Sequence, residues 1–375
     1  MDALTTPLPK AWQRVRLGDV AEINPPTIIP NVFYYIDLES VEKGQLLNKQ
    51  LMTKNKAPSR ARRLLSKNDI LYQLVRPYQR NNYFFTLNGN YVASTGYAQI
   101  RTLQNPSFLY FALHSNYFVN AVLDRCEGTS YPAISSNELK KCEVILPPLD
   151  EQIAIANILS DLDHYLCSLD ALILKKESVK KALSFELLSQ RKRLKGFNQT
   201  WQRVRLGDIC EITTGSLDAN EMVHYGKYRF YTCAKEYYFI DKYAFDTEAI
   251  LISGNGAYVG YVHYYKGKFN AYQRTYVLDN FSEHIIFVKY FLTMFLQSHI
   301  QTNRNEGNTP YIVMATLKDF EILLPPLNEQ IAIANILSAL DSEIISLKNK
   351  KHQFENIKKA LNHDLMSAKI RVLKQ

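Results

Sequence analysis

The sequence is poor in cysteine and has no apolar run long enough to cross a membrane. Its five cysteines are scattered over 375 residues and form neither a CxxC pair nor a zinc-like spacing, which is typical of reduced thiols in a cytoplasm. The longest apolar stretches, 108–113 and 285–296, are shorter than the roughly 20 residues that a spanning helix needs. Met1 is followed by acidic and polar residues instead of a signal peptide. We therefore expect a cytoplasmic protein with no membrane partner.

The short motifs of common enzyme classes are also missing. No HExxH, GxSxG or Walker element is present, and the eight histidines are scattered, which argues against a metal site. Gly254, Gly256 and Gly260 do not form a dinucleotide fingerprint, because strand-like residues follow them. The run 24–27, NPPT, lacks the aromatic residue of the (N/D)PP(Y/F) motif of amino-methyltransferases, so we interpret it as a proline turn after a short helix. The sequence thus predicts no catalytic residue, no metal and no cofactor.

Positive charge is in excess. The chain has 45 Lys and Arg against 36 Asp and Glu, a net charge of +9, and its pI is near 9.1. Many of its 25 tyrosines and 18 phenylalanines lie among Arg, Lys, Asn and Gln instead of in apolar runs. This pattern favours a polyanionic partner, most often a nucleic acid.

Two segments of the chain occur twice. Residues 143–163, EVILPPLDEQIAIANILSDLD, and 321–341, EILLPPLNEQIAIANILSALD, agree at 17 of 21 positions. Residues 12–23, WQRVRLGDVAEI, and 201–212, WQRVRLGDICEI, agree at ten of twelve. An internal repeat of this length defines the organisation of a chain. Here it predicts a globular module followed by a long helix, and then both again.

The repeated PPL element predicts where each long helix begins. A double proline ends a short strand, since proline cannot continue a sheet ladder. Asp150 and Asn328 are then the predicted N-caps, and Glu151 and Glu329 suit the positive end of the helix dipole. The apolar residues that follow recur at spacings of four and three: Ile155, Leu159, Leu162, Leu166, Leu169 and Ile173 in one copy, and Ile333, Leu337, Leu340, Ile344 and Leu347 in the other. This spacing is typical of a coiled coil, although one copy alone could be an ordinary amphipathic helix.

The two modules have matching ends and different middles. In module one we predict strands at 69–75, 83–86 and 91–94, with a hairpin turn at 88–89. In module two we predict strands at 249–253, 258–265 and 268–278, with a hairpin turn at 266–267. A helix follows in each (108–123 and 285–300), and then a glycine-containing loop (125–129 and 304–308). The predicted fold class is α+β: two similar globular α/β domains separated by two long helices that pack as an antiparallel coiled coil, with pseudo-twofold symmetry.

The PPL-x-EQ-x-x-I element at the start of each helix, together with the duplicated W-x-x-V-R-L-G-D segment, resembles the specificity (S) subunits of type I restriction–modification systems. The resemblance covers nearly the whole chain. It implies target recognition domains at 1–147 and 197–325 and conserved spacer helices at 148–196 and 326–375. It also implies that each domain reads one half of a bipartite site in double-stranded DNA. Two modification subunits would dock on the helices and carry the S-adenosylmethionine chemistry, with a restriction subunit as a further partner.

Loop side chains are the candidate DNA contacts. Arg reads guanine and Asn or Gln reads adenine in the major groove, so polar loop residues that differ between the modules are candidates for base contacts. They are Arg76, Tyr78, Gln79, Arg80, Asn81, Ser94 and Thr95 in module one, and Asn255, Tyr258, Tyr272, Gln273 and Arg274 in module two. Residues in the loop that both modules share suit the uniform phosphate backbone: Arg125, Thr129, Arg304 and Thr309.

Two other functions remain open at this point. A methyltransferase with its own cofactor site would need the glycine-rich loop and the aromatic residue after Pro26 that the sequence lacks. A scaffold or coiled-coil DNA-binding protein would account for the helices, but it accounts poorly for two similar globular modules. Each candidate contact taken singly could also be a solvated loop residue.

Overall fold

A computed structural model describes residues 8–303 and 310–373, which form two compact units. Among the described residues, unit 1 contains 8–170 and 349–373, and unit 2 contains 171–303 and 310–348. Each unit therefore holds one module, the first half of the long helix that follows it, and the second half of the other long helix. The four-segment division based on the sequence cuts the chain elsewhere and stays a prediction.

Unit 1 builds its module from short strands and helices. The strands are β1 (Gln13–Arg16), β2 (Ala21–Ile23), β3 (Val32–Ile36), β4 (Val41–Glu42), β5 (Gln45–Leu46), β6 (Gln50–Thr53), β7 (Ala61–Leu64), β8 (Ile70–Gln73), β9 (Tyr83–Phe84), β10 (Tyr91–Ser94), β11 (Tyr97–Thr102) and β12 (Glu143–Leu146). The helices are α1 (Leu17–Val20), α2 (Pro106–Ala112), α3 (Asn116–Leu123) and α4 (Ser136–Lys141). Two four-stranded sheets have the orders β6-β3-β10-β7 and β2-β11-β8-β9.

The hairpin predicted at 88–89 is wrong, because the strands on either side of that turn join different sheets. Gly89 does reverse the chain, with φ 113°. However, β9 pairs with β8, whereas β10 pairs parallel to β3 and antiparallel to β7. The helix predicted at 108–123 is two helices, since Ser115 caps the second by accepting a hydrogen bond from the backbone N–H of Phe118.

Unit 2 contains one larger sheet. Its strands are β13 (Gln202–Arg205), β14 (Glu211–Thr214), β15 (Tyr228–Tyr231), β16 (Tyr238–Ile240), β17 (Phe245–Ser253), β18 (Val262–Ala271), β19 (Thr275–Asp279) and β20 (Glu321–Leu324), and its short helices are α6 (Ile285–Asn303) and α7 (Met314–Lys318). The six-stranded sheet has the order β14-β19-β17-β18-β15-β16. The turn predicted at 266–267 is wrong: both residues lie inside β18 and pair with β17. The chain turns at 272–274 instead.

The repeated ends of each module pair with each other. β1 lies antiparallel to β12, with Arg16 opposite Glu143, and β13 lies antiparallel to β20, with Arg205 opposite Glu321. These strands are the WQRVR and E-x-x-L segments of the two repeats. The sequence is therefore duplicated where the first and last strands close each module, just before the long helix begins.

The long helices are α5 (Leu149–Leu188) and α8 (Leu327–Met366), each of 40 residues. In unit 1 they pair antiparallel, with ion pairs between Lys358 and Asp163 and between Lys351 and Asp170. In unit 2 the same antiparallel pairing joins Lys180 to Asp341 and Lys348 to Glu177. The predicted antiparallel packing is thus confirmed within each unit. The apolar seam is buried or half-buried at the predicted positions.

The predicted N-caps are wrong by a residue or two. The helices begin at Leu149 and Leu327, so Asp150 and Asn328 lie inside the first turn. The proline before each helix supplies the first helical acceptor instead, since the carbonyl of Pro148 accepts from Gln152 and that of Pro326 accepts from Gln330. An acidic side chain in the first turn still suits the helix dipole.

Glu151 and Glu329 anchor the helices instead of facing water. Glu329 is fully buried, and it accepts hydrogen bonds from Trp201 Nε1 (3.1 Å) and from Arg193 Nη2 (2.5 Å). Glu151 is 2% exposed and accepts from Trp12 Nε1 (3.0 Å) and from Arg371 Nε (2.6 Å). Each arginine follows the end of the other long helix. Each glutamate therefore joins the tryptophan of one module to the segment that follows the end of the other long helix.

Helix α8 contains an 18-residue window with a mean hydropathy of 1.3, of which 28% is buried. Length and composition alone do not separate a membrane span from a helix that packs on protein. Ile333, Leu337 and Ile344 of this helix are buried in unit 2. Some of the exposed residues of α8 form an apolar face, and an equivalent face occurs on α5.

Candidate nucleic-acid interface

Three loops meet at one edge of the module in unit 1. The backbone N–H of Leu74 donates to the carbonyl of Gly96 (3.0 Å), and that of Arg76 donates to the carbonyl of Pro132 (2.7 Å). Ile134 returns a hydrogen bond to Leu74 (3.0 Å). The loops 74–80, 94–96 and 125–133 are thereby held together, and we call them loop platform 1.

Unit 2 contains the same arrangement of loops. The backbone N–H of Gly254 donates to the carbonyl of Arg274 (2.9 Å), and that of Gly256 donates to the carbonyl of Pro310 (2.9 Å). Ile312 returns a hydrogen bond to Gly254 (3.0 Å). The loops 253–260, 272–275 and 310–313 form loop platform 2. The hydrogen bonds match one for one, so Arg76 corresponds to Gly256 and Gly96 corresponds to Arg274.

Buried hydrogen bonds fix the strands that carry loop platform 1. Asp69, 1% exposed, pairs with Arg101 Nη2 (2.9 Å) and accepts from Gln99 Nε2 (2.7 Å). These contacts tie β8 to β11, which lead into and out of the platform loops. Asn24 accepts from the backbone N–H of Gln99 (3.0 Å) and donates to Ser136 (2.9 Å). The NPPT run therefore begins with a structural asparagine.

Five of the predicted residues on platform 1 have exposed or half-buried side chains without a hydrogen-bond partner among the described residues. Arg76 is half-buried, and its guanidinium carbon lies 4.2 Å from the ring centroid of Tyr131, which is 63% exposed. Tyr78 is 49% exposed. Thr95 is half-buried at the second loop. Arg125 and Thr129 are exposed on the third loop, as a phosphate contact requires.

Other predicted residues of module one already have partners inside unit 1. Both terminal nitrogens of Arg80 donate, one to the carbonyl of His114 (3.0 Å) and one to Asn116 Oδ1 (2.7 Å), so this arginine has no free pair of donors for a base. Gln79 accepts from Gln73 Nε2, and Asn81 accepts from the backbone N–H of Lys43. Ser94 is buried and accepts from the backbone N–H of Gly96. Gln79 and Arg80 line a separate cavity of about 290 Å³ against α8.

His114, beside Arg80, gives a prediction for the pH dependence of stability. Burial lowers the pKa of His114 to about 4, although its hydrogen bond to the carbonyl of Tyr110 opposes this shift. The folded protein keeps this ring neutral, whereas the unfolded chain protonates it below its ordinary pKa of about 6.5. Stability should therefore fall as the pH drops from 6.5 towards 4. His114→Asn should flatten this dependence while lowering stability at pH 7.5, as measured by urea midpoints across that range.

The control for this prediction is His164→Asn, at an exposed position on α5. It should keep the wild-type slope, because this side chain faces solvent and makes none of the buried contacts of His114. An unchanged slope in the His114→Asn variant would assign the acid sensitivity of unit 1 to other groups.

Platform 2 presents the predicted residues of module two. Gln273 and Arg274 are exposed at its middle loop, and Tyr272 and Asn255 are half-buried beside them. Tyr258 is 43% exposed, with Lys235 Nζ 5.2 Å from its ring centroid. Arg304 and Thr309 lie outside the described residues.

A basic loop that sequence reasoning missed lies next to platform 1. Residues 54–63, KNKAPSRARR, form the loop after β6 and the first three residues of β7, and the backbone N–H of Thr95 donates to the carbonyl of Arg60 (2.9 Å). Lys54, Lys56, Arg60 and Arg62 are exposed there. Closely spaced cations of this kind suit phosphate contacts. The dense run of Lys and Arg was the signal that could have identified this loop.

Unit 2 has exposed aromatic residues that were also missed. Tyr225 is 94% exposed, and Tyr238, Phe239 and Tyr243 are between 38% and 45% exposed. Lys268 Nζ lies 4.6 Å from the ring centroid of Tyr243. Rings beside cations fit nucleic acid well, since they combine stacking surfaces with positive charge.

Comparison with known proteins identifies the family. The family model described as the type I restriction modification DNA specificity domain matches residues 9–176 and again residues 198–356. The chain belongs to this family. The two matches cover most of both modules and much of both long helices. The duplicated architecture is therefore that of a protein with two DNA specificity domains, and the resemblance drawn from the repeats is confirmed.

Individual relatives agree with this family. The type I restriction enzyme EcoDI specificity subunit of Escherichia coli is 38% identical over 170 residues, which is 44% of this chain and 37% of that subunit. The MjaVIII specificity subunit of Methanocaldococcus jannaschii is 24% identical over 97% of this chain and 94% of its own length. The crystal structure of a type I restriction–modification S subunit from M. genitalium has the same fold, with a TM-score of 0.65 and 17% identity over 94% of this chain and 96% of that one.

Proposed function

We propose that this chain is the DNA-reading subunit of a type I restriction–modification complex. Each specificity domain reads one half of a bipartite site in double-stranded DNA, and the two halves are separated by a gap of unread base pairs. The observation that carries this proposal is the pair of loop platforms, which have matching backbone hydrogen bonds and different side chains. A shared backbone frame suits two sites on the same kind of duplex, and different side chains suit two different half-sites.

The experiment is methylome sequencing of a host that expresses the chain with its modification partner. We expect adenine methylation at a single split motif, and its loss when the gene for this chain is deleted. DNA binding by the assembled complex should weaken steeply with salt, because the basic loops release counterions from the phosphates. An active modification partner that produces no split motif together with this chain would contradict the proposal.

The partners in this proposal are two modification subunits, which supply the methyltransferase chemistry. Both long helices expose apolar residues in their first turns: Leu149 and Ile153, 53% and 41% exposed, and Leu327 and Ile331, 50% and 37% exposed. Residues four apart lie on the same side of a helix, so each pair forms one apolar face. The two faces have the same residues, which suits two copies of one partner. A restriction subunit would join as a further component.

The long helices give a prediction about the gap. Each helix crosses from one unit to the other, after Asp170 in α5 and after Lys348 in α8. Because the helices pair antiparallel in both units, an insertion in one helix alone would break the ion-pair register. A seven-residue insertion in both helices at these points should keep the coiled-coil repeat. Methylome sequencing should then show a changed gap and unchanged half-site sequences.

A single insertion, in α5 alone, is the control and should reduce complex formation. Changed half-site sequences with an unchanged gap would contradict this assignment, because they would make the helices part of base reading.

A further inference from the structure

Among the described residues of the loop platforms, three arginines have guanidinium N–H donors that form no hydrogen bond: Arg76, Arg274 and Arg125, the last on the loop whose residues suit phosphate contacts. Arg76 on platform 1 and Arg274 on platform 2 form no side-chain hydrogen bond or ion pair with any residue in 8–303 or 310–373. Other arginines of the modules do have such partners: Arg80 bonds to His114 and Asn116, Arg101 pairs with Asp69, and Arg229 donates to Tyr231. Recognition of a base by arginine needs two free parallel N–H donors. Arg76 and Arg274 meet this requirement.

The two arginines lie at different positions of the backbone hydrogen-bond pattern that both platforms share. The platform position of Arg76 is held by Gly256 in unit 2, and that of Arg274 is held by Gly96 in unit 1. Arg76 and Gly256 share left-handed backbone, with φ 54° and 80°. Side chains disfavour this region, so an arginine is unexpected at a position that the other module fills with glycine. Each platform thus carries an arginine with free donors at a position where its counterpart carries glycine.

Packing explains why the arginine lies at a different platform position in each module. A Cβ at Gly96 would lie 3.0 Å from the side chain of Leu38, so platform 1 has little room for a side chain there. A Cβ at Gly256 would meet no atom within 4 Å, so position 256 is open but unused. The exposed ring of Tyr131 lies at cation–π distance from the Arg76 guanidinium. A planar donor pair of this kind is suited to the O6 and N7 edge of guanine.

We propose that Arg76 and Arg274 each read a guanine in the major groove, one in each half-site. This inference rests on the proposed function and adds to it the identity of one base and its reader in each half. It also means that the two half-sites are read from non-equivalent positions of the two platforms. Each half-site then contains a G·C pair at a position that one arginine controls.

The experiment uses the full chain in complex with its modification subunit. The complex methylates a plasmid library with randomised half-sites, and sequencing gives the base preference at each position. Arg76→Ala should reduce the preference for guanine at one position of one half-site by on the order of 10- to 100-fold. Arg274→Ala should do the same in the other half-site only. Arg76→Lys should also lose preference, since lysine offers a point charge and no planar pair of donors.

Arg16→Ala and Arg203→Ala are the matched controls, because both arginines are exposed on the modules and lie outside the platforms. They should leave the motif unchanged. An unchanged motif in the Arg76→Ala and Arg274→Ala variants, or an equal loss of methylation on every sequence, would overturn the inference while leaving the proposed function in place. A wild-type complex that methylates no split motif would overturn both.

Discussion

Arg193→Met is expected to lower the free energy of unfolding of unit 2 by about 3–5 kcal/mol. Arg193 lies beyond the end of α5, and its guanidinium pairs with Glu329 in the first turn of α8. The carboxylate of Glu329 is fully buried, so removal of the arginine leaves a charge that water cannot reach. The remaining hydrogen bond from Trp201 Nε1 cannot compensate for this loss. The methionine keeps much of the aliphatic packing, so the cost arises chiefly from the unpaired carboxylate.

The two tryptophans allow each unit to be followed separately. Trp12 and Trp201 are the only tryptophans in the sequence, and each donates to one of the two buried glutamates. With fluorotryptophan incorporated, fluorine NMR during urea unfolding should show the Trp201 signal lost at lower urea in the variant. The Trp12 signal, in unit 1, should report a much smaller change.

Lys192→Met is the matched control, because this neighbouring cation pairs with a glutamate that is itself 35% exposed. An exposed pair of this kind contributes at most about 1 kcal/mol. The double variant Arg193→Met with Glu329→Gln should recover most of the loss, since glutamine keeps an acceptor for Trp201 and carries no charge. Equal effects of Arg193→Met and Lys192→Met would show that the buried carboxylate does not determine the stability of this contact.

The repeats predicted the architecture because they coincide with the parts that close each module. WQRVR and the strand before the double proline pair with each other, and the helix that follows is anchored by its first-turn glutamate. What the sequence could not supply was the partner of each short strand. Asn88 and Gly89 predict a reversal of the chain, but strands of two to four residues choose their sheet by tertiary packing. Lys266 and Gly267 resemble a turn in the sequence. In the structure they lie inside β18, which pairs with the nine-residue strand β17.

For the candidate DNA contacts too, the sequence predicts where the residues lie along the chain but not which partners they have. Arg76 and Arg80 lie four residues apart in one polar loop, and sequence reasoning treats them alike. In the structure both adopt left-handed backbone, yet only Arg80 reaches the carbonyl of His114, between α2 and α3, and the side chain of Asn116. Whether a guanidinium is free depends on elements that are distant in sequence, so no local pattern separates these two residues. The correspondence of Arg274 with Gly96 also requires the backbone hydrogen bonds of both platforms.

The exposed apolar faces of the long helices lead to the second large effect. In a duplicated chain, packing alone explains why buried residues such as Leu159 and Leu337 are identical. It does not explain identical exposed residues, because the loops of the same modules have diverged. Ile153 and Ile331 are 41% and 37% exposed, and the face around each is the same in both copies. Two surfaces with the same exposed residues are expected to bind two copies of the same partner.

Ile153→Glu together with Ile331→Glu should therefore abolish binding of the modification subunits, and each single variant should reduce their number from two to one. A carboxylate buried without a partner at an interface costs several kcal/mol, so we expect a loss of affinity of at least about 100-fold for each face. Native mass spectrometry of the co-purified complex would count the bound subunits. Leu174→Glu on α5 and Ile357→Glu on α8 are the controls, because these residues are 66% and 49% exposed on the same helices but lie outside the repeated segment. Full occupancy in the double variant, or equal losses in the controls, would mean that the duplicated face is not what the partner recognises.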